Sequence, residues 1–196
     1  MRTRAAGLAD GVSGQASSSR DRVSGVIGTI TLGAVAGGGP GGLVYFDGDA
    51  DLNTPERSGS QVADTMGMTH MLGGGSPRLA RLGARFPLLR PGQVVLFGFD
   101  PAGQAGRALG YLNRRCDSYL VHFDVDVLHT GLFPLANFPH FAGLTLDEAG
   151  ACLDVFAGGE KFGGLVITEV NPGHDPSGEL LRTLAARVTR ALAPAG

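Results

Sequence analysis

Gly42-Leu43-Val44-Tyr45-Phe46-Asp47-Gly48-Asp49-Ala50-Asp51 is the stretch whose reading decides the fold. Tyr119-Leu120-Val121-His122-Phe123-Asp124-Val125-Asp126 repeats its plan. Each is an apolar run closed by Phe and followed by carboxylates at alternate positions. A short, continuously apolar run is the pattern of a strand buried on both faces. Side chains two apart on an extended segment project to the same side. This predicts Asp47, Asp49 and Asp51 as one group and Asp124 with Asp126 as another. Five carboxylates brought to the ends of two strands repel one another unless a cation compensates them. Clustered oxygen donors suit Mg, Mn or Ca.

Outward from these runs, strand and helix patterns alternate. Residues 43–46, 93–99, 118–123 and 164–170 read as strands; 64–72, 77–82, 102–112, 145–156 and 177–192 read as helices. Residues 26–36 are apolar and fit either state. Thr145 with Glu148 three residues later predicts a capping box. Ser177 reads as the N-cap of the last helix, with Leu180, Leu181, Leu184, Val188 and Leu192 on one face. Alternation with continuously apolar strands predicts an α/β fold, three layers α/β/α around a mainly parallel sheet. Sites in such sheets form at the carboxyl ends of the strands. Both aspartate groups fall there, and so does Glu169.

Composition narrows the class further. The 196 residues fit one domain, and 43 % apolar content is enough for a core. Residues 1–25, rich in Ser, Gly and Arg, read as a poorly ordered lead-in to a domain of residues 26–196. A formal charge of −2 gives no electrostatic case for nucleic acid or a membrane surface. No apolar run is long enough to span a bilayer, and none follows the N-terminal arginines as a signal peptide requires, so the expected location is cytoplasmic. Cys116 and Cys152 are expected as buried free thiols. Glycine clusters at 37–39 and 73–75 read as loops.

Two families of acidic motif fit poorly. A helix–loop–helix calcium loop needs Gly directly after the third Asp and Glu at its twelfth position; Leu52 and Ser58 stand there. A phosphotransferase of the haloacid-dehalogenase type needs a lysine followed by a late acidic pair. The single lysine, Lys161, is followed by Gly163-Gly164-Leu165.

A third likeness runs through most of the chain. Residues 46–55, F-D-G-D-A-D-L-N-T-P, resemble the D-A-H-x-D-x-N motif of the ureohydrolases, the arginase, agmatinase and formimidoylglutamase family. Residues 122–128, H-F-D-V-D-V-L, resemble the S-F-D-x-D-x-L motif of that family. Residues 143–148, G-L-T-L-D-E, resemble its G-L-T-x-x-E, and residues 169–172, E-V-N-P, its late E-V/L-N-P. The four stand in family order. The resemblance implies an arginase-like three-layer fold and a binuclear manganese site. It implies a metal-dependent hydrolase of linear C–N bonds, in which a bridging hydroxide attacks a guanidinium or amidine carbon. Small guanidino or formimidoyl substrates and a trimeric or hexameric homo-oligomer follow from the same likeness.

Carried over by position, Asp47 and Asp124 match carboxylates that bridge two metals, Asp51 a ligand of one and Asp126 a ligand of the other. Glu169 matches the acid that pairs with the substrate guanidinium. Asn53 and Ser60 match contacts to the polar end of the substrate, and Asp64 stands at a proton-transfer position. The departures are equally specific. The family's two histidine ligands fall at Gly28, which has no side chain, and at Asp49, which keeps an oxygen donor. His129 replaces an aspartate, and the N-terminal part of the usual domain is shortened. These departures predict an all-oxygen donor set holding two Mn2+, or one, or Mg2+, with slower hydrolysis. The rival expectation is a catalytically impaired relative that serves as a binding or partner subunit. His70, His140 and His174 are expected to be structural or exposed.

Overall fold

The computed structural model describes residues 30–59, 62–98 and 103–193. Among the described residues four strands form one sheet: β1 (Gly42–Phe46), β2 (Val94–Phe97), β3 (Tyr119–Asp124) and β4 (Phe162–Thr168). Their spatial order is β2-β1-β3-β4, and every neighbouring pair is parallel. The chain therefore leaves β1 toward one side and returns to its other side as β3. The reversal of order falls between β1 and β3, the place where parallel sheets open a crevice at their carboxyl ends. Phe46 is in register with Phe97 on one side and Phe123 on the other, so Asp47 and Asp124 emerge side by side.

β1 and β3 are buried along their whole length, which is why they read as unbroken apolar runs. Val44, Phe46, Tyr119, Val121 and Phe123 face one layer of helices. These are α4 (Gly103–Asn113), α5 (Leu146–Ala157) and α6 (Glu179–Leu192). Leu43, Tyr45 and Leu120 face the other layer. That side is covered by α1 (residues 30–36) and α2 (Gly67–Met71), through Leu32, Val35, Met68 and Met71. The expected three-layer α/β/α architecture is present. The ambiguous segment resolves as helix over residues 30–36, and α3 (Pro77–Ala80) is a single turn.

Several boundaries differ from expectation. β4 begins at Phe162 and ends at Thr168, so Glu169 lies just past the strand, and β2 ends at Phe97. Among the described residues β2 and β4 are the outer strands, and they are only partly covered: Leu96 is 48 % and Ile167 37 % exposed. The Thr145–Glu148 capping box forms as expected. Ser177 is not the N-cap of α6; Gly178 takes that position at φ 72°, a left-handed conformation suited to glycine. The Asp175 carboxylate instead accepts the N–H groups of Glu179 and Leu181. Leu192 falls off the buried stripe of α6, whereas Arg187 joins it and makes a bidentate pair with Asp154 of α5. Cys116 and Cys152 are both buried. The lead-in of residues 1–25, Gly28 and Ser60 lie outside the described residues. No helix of the described residues is long and apolar enough to cross a membrane.

Candidate metal centre

The end of β1 turns sharply. Asp47 directs Oδ1 to the N–H of Asp49 at 2.7 Å, so the first carboxylate caps its own turn. At the end of β3 the same device recurs: Asp124 Oδ1 accepts the N–H of Asp126 at 3.0 Å and opens a 3-10 turn, Val125–Val127. The two-residue spacing thus works through turn capping, and not through strand alternation as the sequence suggested. Gly48 N–H donates to Asp126 Oδ1 at 2.9 Å and ties the two turns together. Asp47, Asp49, Asp51, Asp124, Asp126 and Glu169 line one cleft, together with Thr65 and Phe138.

Asp51 (φ 47°) and Glu169 (φ 60°) adopt left-handed backbone conformations that non-glycine residues seldom take. Such strain persists only where surrounding contacts over-determine it, and it concentrates at functional sites. Tyr45 Oη donates to Asp51. Glu169 is 2 % exposed, and its Oε2 accepts the N–H groups of Asn137 and Phe138, each at 3.2 Å.

Two histidines stand against this acidic cluster, beside the carboxylates expected to supply its oxygen donors. His122, on β3, is 1 % exposed, and its Nε2 stands 3.1 Å from Asp47 Oδ2. Its Nδ1 lies 2.7 Å from Thr31 Oγ1 of α1. The ring stacks on Tyr45 with centroids 4.2 Å apart and planes 2° from parallel. Burial pushes its pKa down to about 3, so the ring is neutral. Donation from Thr31 into Nδ1 and from Nε2 to Asp47 satisfies all three groups. Thr168 supports the neighbouring carboxylate by donating to Asp124 Oδ2 at 2.7 Å. His140, expected to be structural or exposed, has Nε2 3.3 Å from Asp126 Oδ2 and 3.5 Å from Asp49 Oδ2. His70 is buried near the Gly75 turn, and His174 is exposed.

Asp47, His122 and Asp124 form one potential ligand set; Asp49, Asp126 and His140 form a second; Asp124, Asp126 and Glu169 form a third. Donors about 2.0–2.2 Å from one cation, at octahedral or tetrahedral angles, lie about 3–3.6 Å apart. The His140–Asp126 and His140–Asp49 separations fall in that range. Carboxylates with imidazole fit a divalent cation such as Mn2+. Asn53 is exposed beside the cluster on a neighbouring cleft lined by Asp49, Ala50, Asp51, Leu52, Arg57 and Thr65. Asp64 opens the 3-10 turn Asp64–Met66, and its side chain is outside the described residues; Thr65, the next residue, lines the acidic cleft.

Electrostatics favour the same conclusion. Burial raises the pKa of Asp47 well above the usual range, and Asp124, Asp126 and Asp51 raise it further. Burial, then Asp126 and Glu169, raise that of Asp124. Burial also raises that of Asp126, against the Gly48 N–H and His140, which lower it. Acids whose folded-state pKa is raised stabilise the fold below their unfolded value, near 4, and lose that contribution as pH rises through the folded value. Metal-free protein should therefore lose stability as pH climbs above about 4, and a cation should restore it. The rise in Tm produced by Mn2+ over EDTA is expected to be larger at about pH 8 than at about pH 5.5. An equal or smaller rise at the higher pH would refute the cluster as the binding site.

Comparison with known proteins gives a family model, described as Arginase family, that matches residues 24–193. A curated arginase of Bacillus caldovelox is 25 % identical across 67 % of this chain and 53 % of its own length. The chain thus spans about half of that relative. Among solved structures, the native arginase of Bacillus caldovelox superposes with a TM-score of 0.77 at 20 % identity, covering 97 % of this chain and 82 % of that one. The arginase of Bacillus cereus gives 0.78 at 21 % identity, covering 87 % and 69 %. The proclavaminate amidino hydrolase of Streptomyces clavuligerus gives 0.59 at 24 %, covering 84 % and 58 %. At these identities the structural likeness speaks for the shared fold.

Proposed function

The chain belongs to the arginase family, and we propose that it is a metal-dependent hydrolase of linear C–N bonds in guanidino or amidino compounds. The observation that carries this reading is the burial of Asp47, Asp124, Asp126 and Glu169 around one cleft, with Asp49 and Asp51 at its rim. A cluster of this charge density is stable at neutral pH only when a cation or protons compensate it.

The residues that would hold two Mn2+ ions are Asp47, Asp51 and Asp124 for one and Asp47, Asp49, Asp124 and Asp126 for the other, with Asp47 and Asp124 shared. When bound, such ions acidify a water and neutralise charge developing on the substrate. The protein residues do the rest. The Asn137 and Phe138 N–H groups hold Oε2 of Glu169 in place. A fixed carboxylate can accept two parallel N–H bonds from a planar guanidinium and so aim its carbon. Tyr45 holds Asp51, and Thr168 and His122 hold Asp124 and Asp47, so the donors need no rearrangement. Asn53, on the neighbouring cleft, would meet the polar end of a substrate, and Asp64 or water would carry the proton to the leaving amine.

The test is release of urea or ammonia from a panel of guanidino and formimidoyl compounds by Mn2+-loaded protein. Turnover on at least one guanidino compound is expected; metal binding without turnover on any would leave the binding-subunit alternative. Within an active protein, Glu169→Gln should retain Mn2+ yet lower kcat/KM by about 2–5 kcal/mol of transition-state binding, the cost of breaking a buried charge pair. Unchanged kcat/KM would remove Glu169 from substrate binding.

A further inference from the structure

We propose that His140 is a metal ligand of this chain, completing a site with Asp49 and Asp126 for which Gly48 provides the space. The proposal rests on the metallohydrolase reading above and adds to it a nitrogen donor from outside the acidic motifs.

Three independent features of the fold converge on the ring. The first is distance: the three ligand atoms lie within 4.8 Å of one another. The second is the anchoring of the segment that bears His140. Its carbonyl accepts the N–H of Thr130 at 2.9 Å, and His129 and His140 form a parallel bridge. Leu128 and Leu144 make a second bridge beside it. The loop that leaves Asp126 is thereby folded back so that a residue fourteen positions later faces the same carboxylate.

The third feature is the cradle. A Cβ on residue 48 would lie 2.8 Å from His140 Cδ2 and 3.0 Å from Nε2. Real Cβ atoms essentially never come so close to another heavy atom. Any larger residue at 48 would force the imidazole or the turn to shift. The Gly48 N–H also takes Oδ1 of Asp126, which leaves Oδ2 facing the ring.

An ordinary ion pair explains this arrangement less well. The ring is 32 % and the Asp49 side chain 64 % exposed, and pairs that open to water contribute little. A ligand role gives the same geometry a purpose: the ring contributes its Nε2 lone pair, and solvent access lets water complete the coordination sphere.

The experiment compares wild type, His140→Gln, Gly48→Ala and Asp124→Ala by Mn2+ titration, with free Mn2+ followed by EPR. Pulsed EPR on the loaded proteins reads nitrogen coupling to the metal, as the difference from wild type. Mn2+-free melting checks that each variant folds. Diethyl pyrocarbonate modification of wild type, mapped by peptide mass spectrometry, adds a readout that needs no substitution. His140→Gln and Gly48→Ala are each expected to weaken Mn2+ binding about tenfold or more and to reduce the nitrogen coupling. Gly48→Ala acts by crowding the ring with the histidine still present; its Cβ also comes 3.0 Å from Asp126 Oδ1, so His140→Gln is the deciding variant. Mn2+ should shield His140 from modification while leaving exposed His174 reactive. Wild-type affinity and coupling in His140→Gln, with binding still lost in Asp124→Ala, would overturn this ligand and leave the metallohydrolase reading standing. A wild-type chain that binds no Mn2+ would overturn both.

Discussion

Asp124→Ala should abolish stable Mn2+ binding: elemental analysis after equilibration with excess Mn2+ and desalting should find close to two ions per chain in wild type and less than half an ion in the variant. Asp124 belongs to two of the three potential ligand sets and stands beside Asp47 at the switch point of the sheet. Removing it takes a donor from both cations. The metal-free protein should tolerate the change. Asp124 is itself a buried acid whose ionised form is opposed by Asp126 and Glu169. Its loss relieves that repulsion, at the expense of an acceptor for Thr168 and a cap for Asp126. The variant in EDTA should therefore melt within a few degrees of wild type in EDTA, while the Mn2+-dependent rise disappears. Equal metal content in the two proteins would sink the assignment of this cluster as the metal centre.

Phe46→Ala should cost about 3–5 kcal/mol of folding stability, read as a lower midpoint in urea at fixed EDTA. Phe46 is fully buried at the end of β1. Its ring meets Phe97 edge-on at 5.1 Å, Phe123 at 5.2 Å and Phe156 at 6.1 Å. It therefore joins three strands to α5, and a cavity there has rigid aromatic walls that cannot collapse. Against a total stability of about 5–15 kcal/mol this is a large fraction. Because Phe46 immediately precedes Asp47, Mn2+ affinity should fall with it. A loss below about 1 kcal/mol would mean that the aromatic cluster repacks freely.

Much of this organisation was legible in the chain. The unbroken apolar runs ending in Phe46 and Phe123 marked strands buried on both sides. Alternation with amphipathic segments marked a parallel sheet under two helical layers. The Thr145–Glu148 box marked the start of α5. Parallel topology alone sends the carboxyl ends of β1, β3 and β4 to one rim, so Asp47, Asp124 and Glu169 had to meet. His122 was legible as well, though overlooked. It precedes Asp124 by two residues on β3, and period-two alternation puts it on the same side of the strand. The ends of helices and strands were less legible. Asp175 competes with Ser177 to cap α6, and the choice depends on how the preceding turn packs.

The sequence by itself determined the layers of the sheet and the acidic rim, because both follow from local periodicity and from the direction in which parallel strands end. Only the tertiary structure decided the chemistry of that rim. His140 reaches Asp126 through a loop closed by backbone bridges, and Gly48 makes room for its ring from the end of the neighbouring strand β1. The left-handed turns at Asp51 and Glu169 are likewise held by contacts from elsewhere in the fold. Local propensity carries no record of which distant side chain will fill a given space, and here that space decides whether the carboxylates keep an imidazole among them.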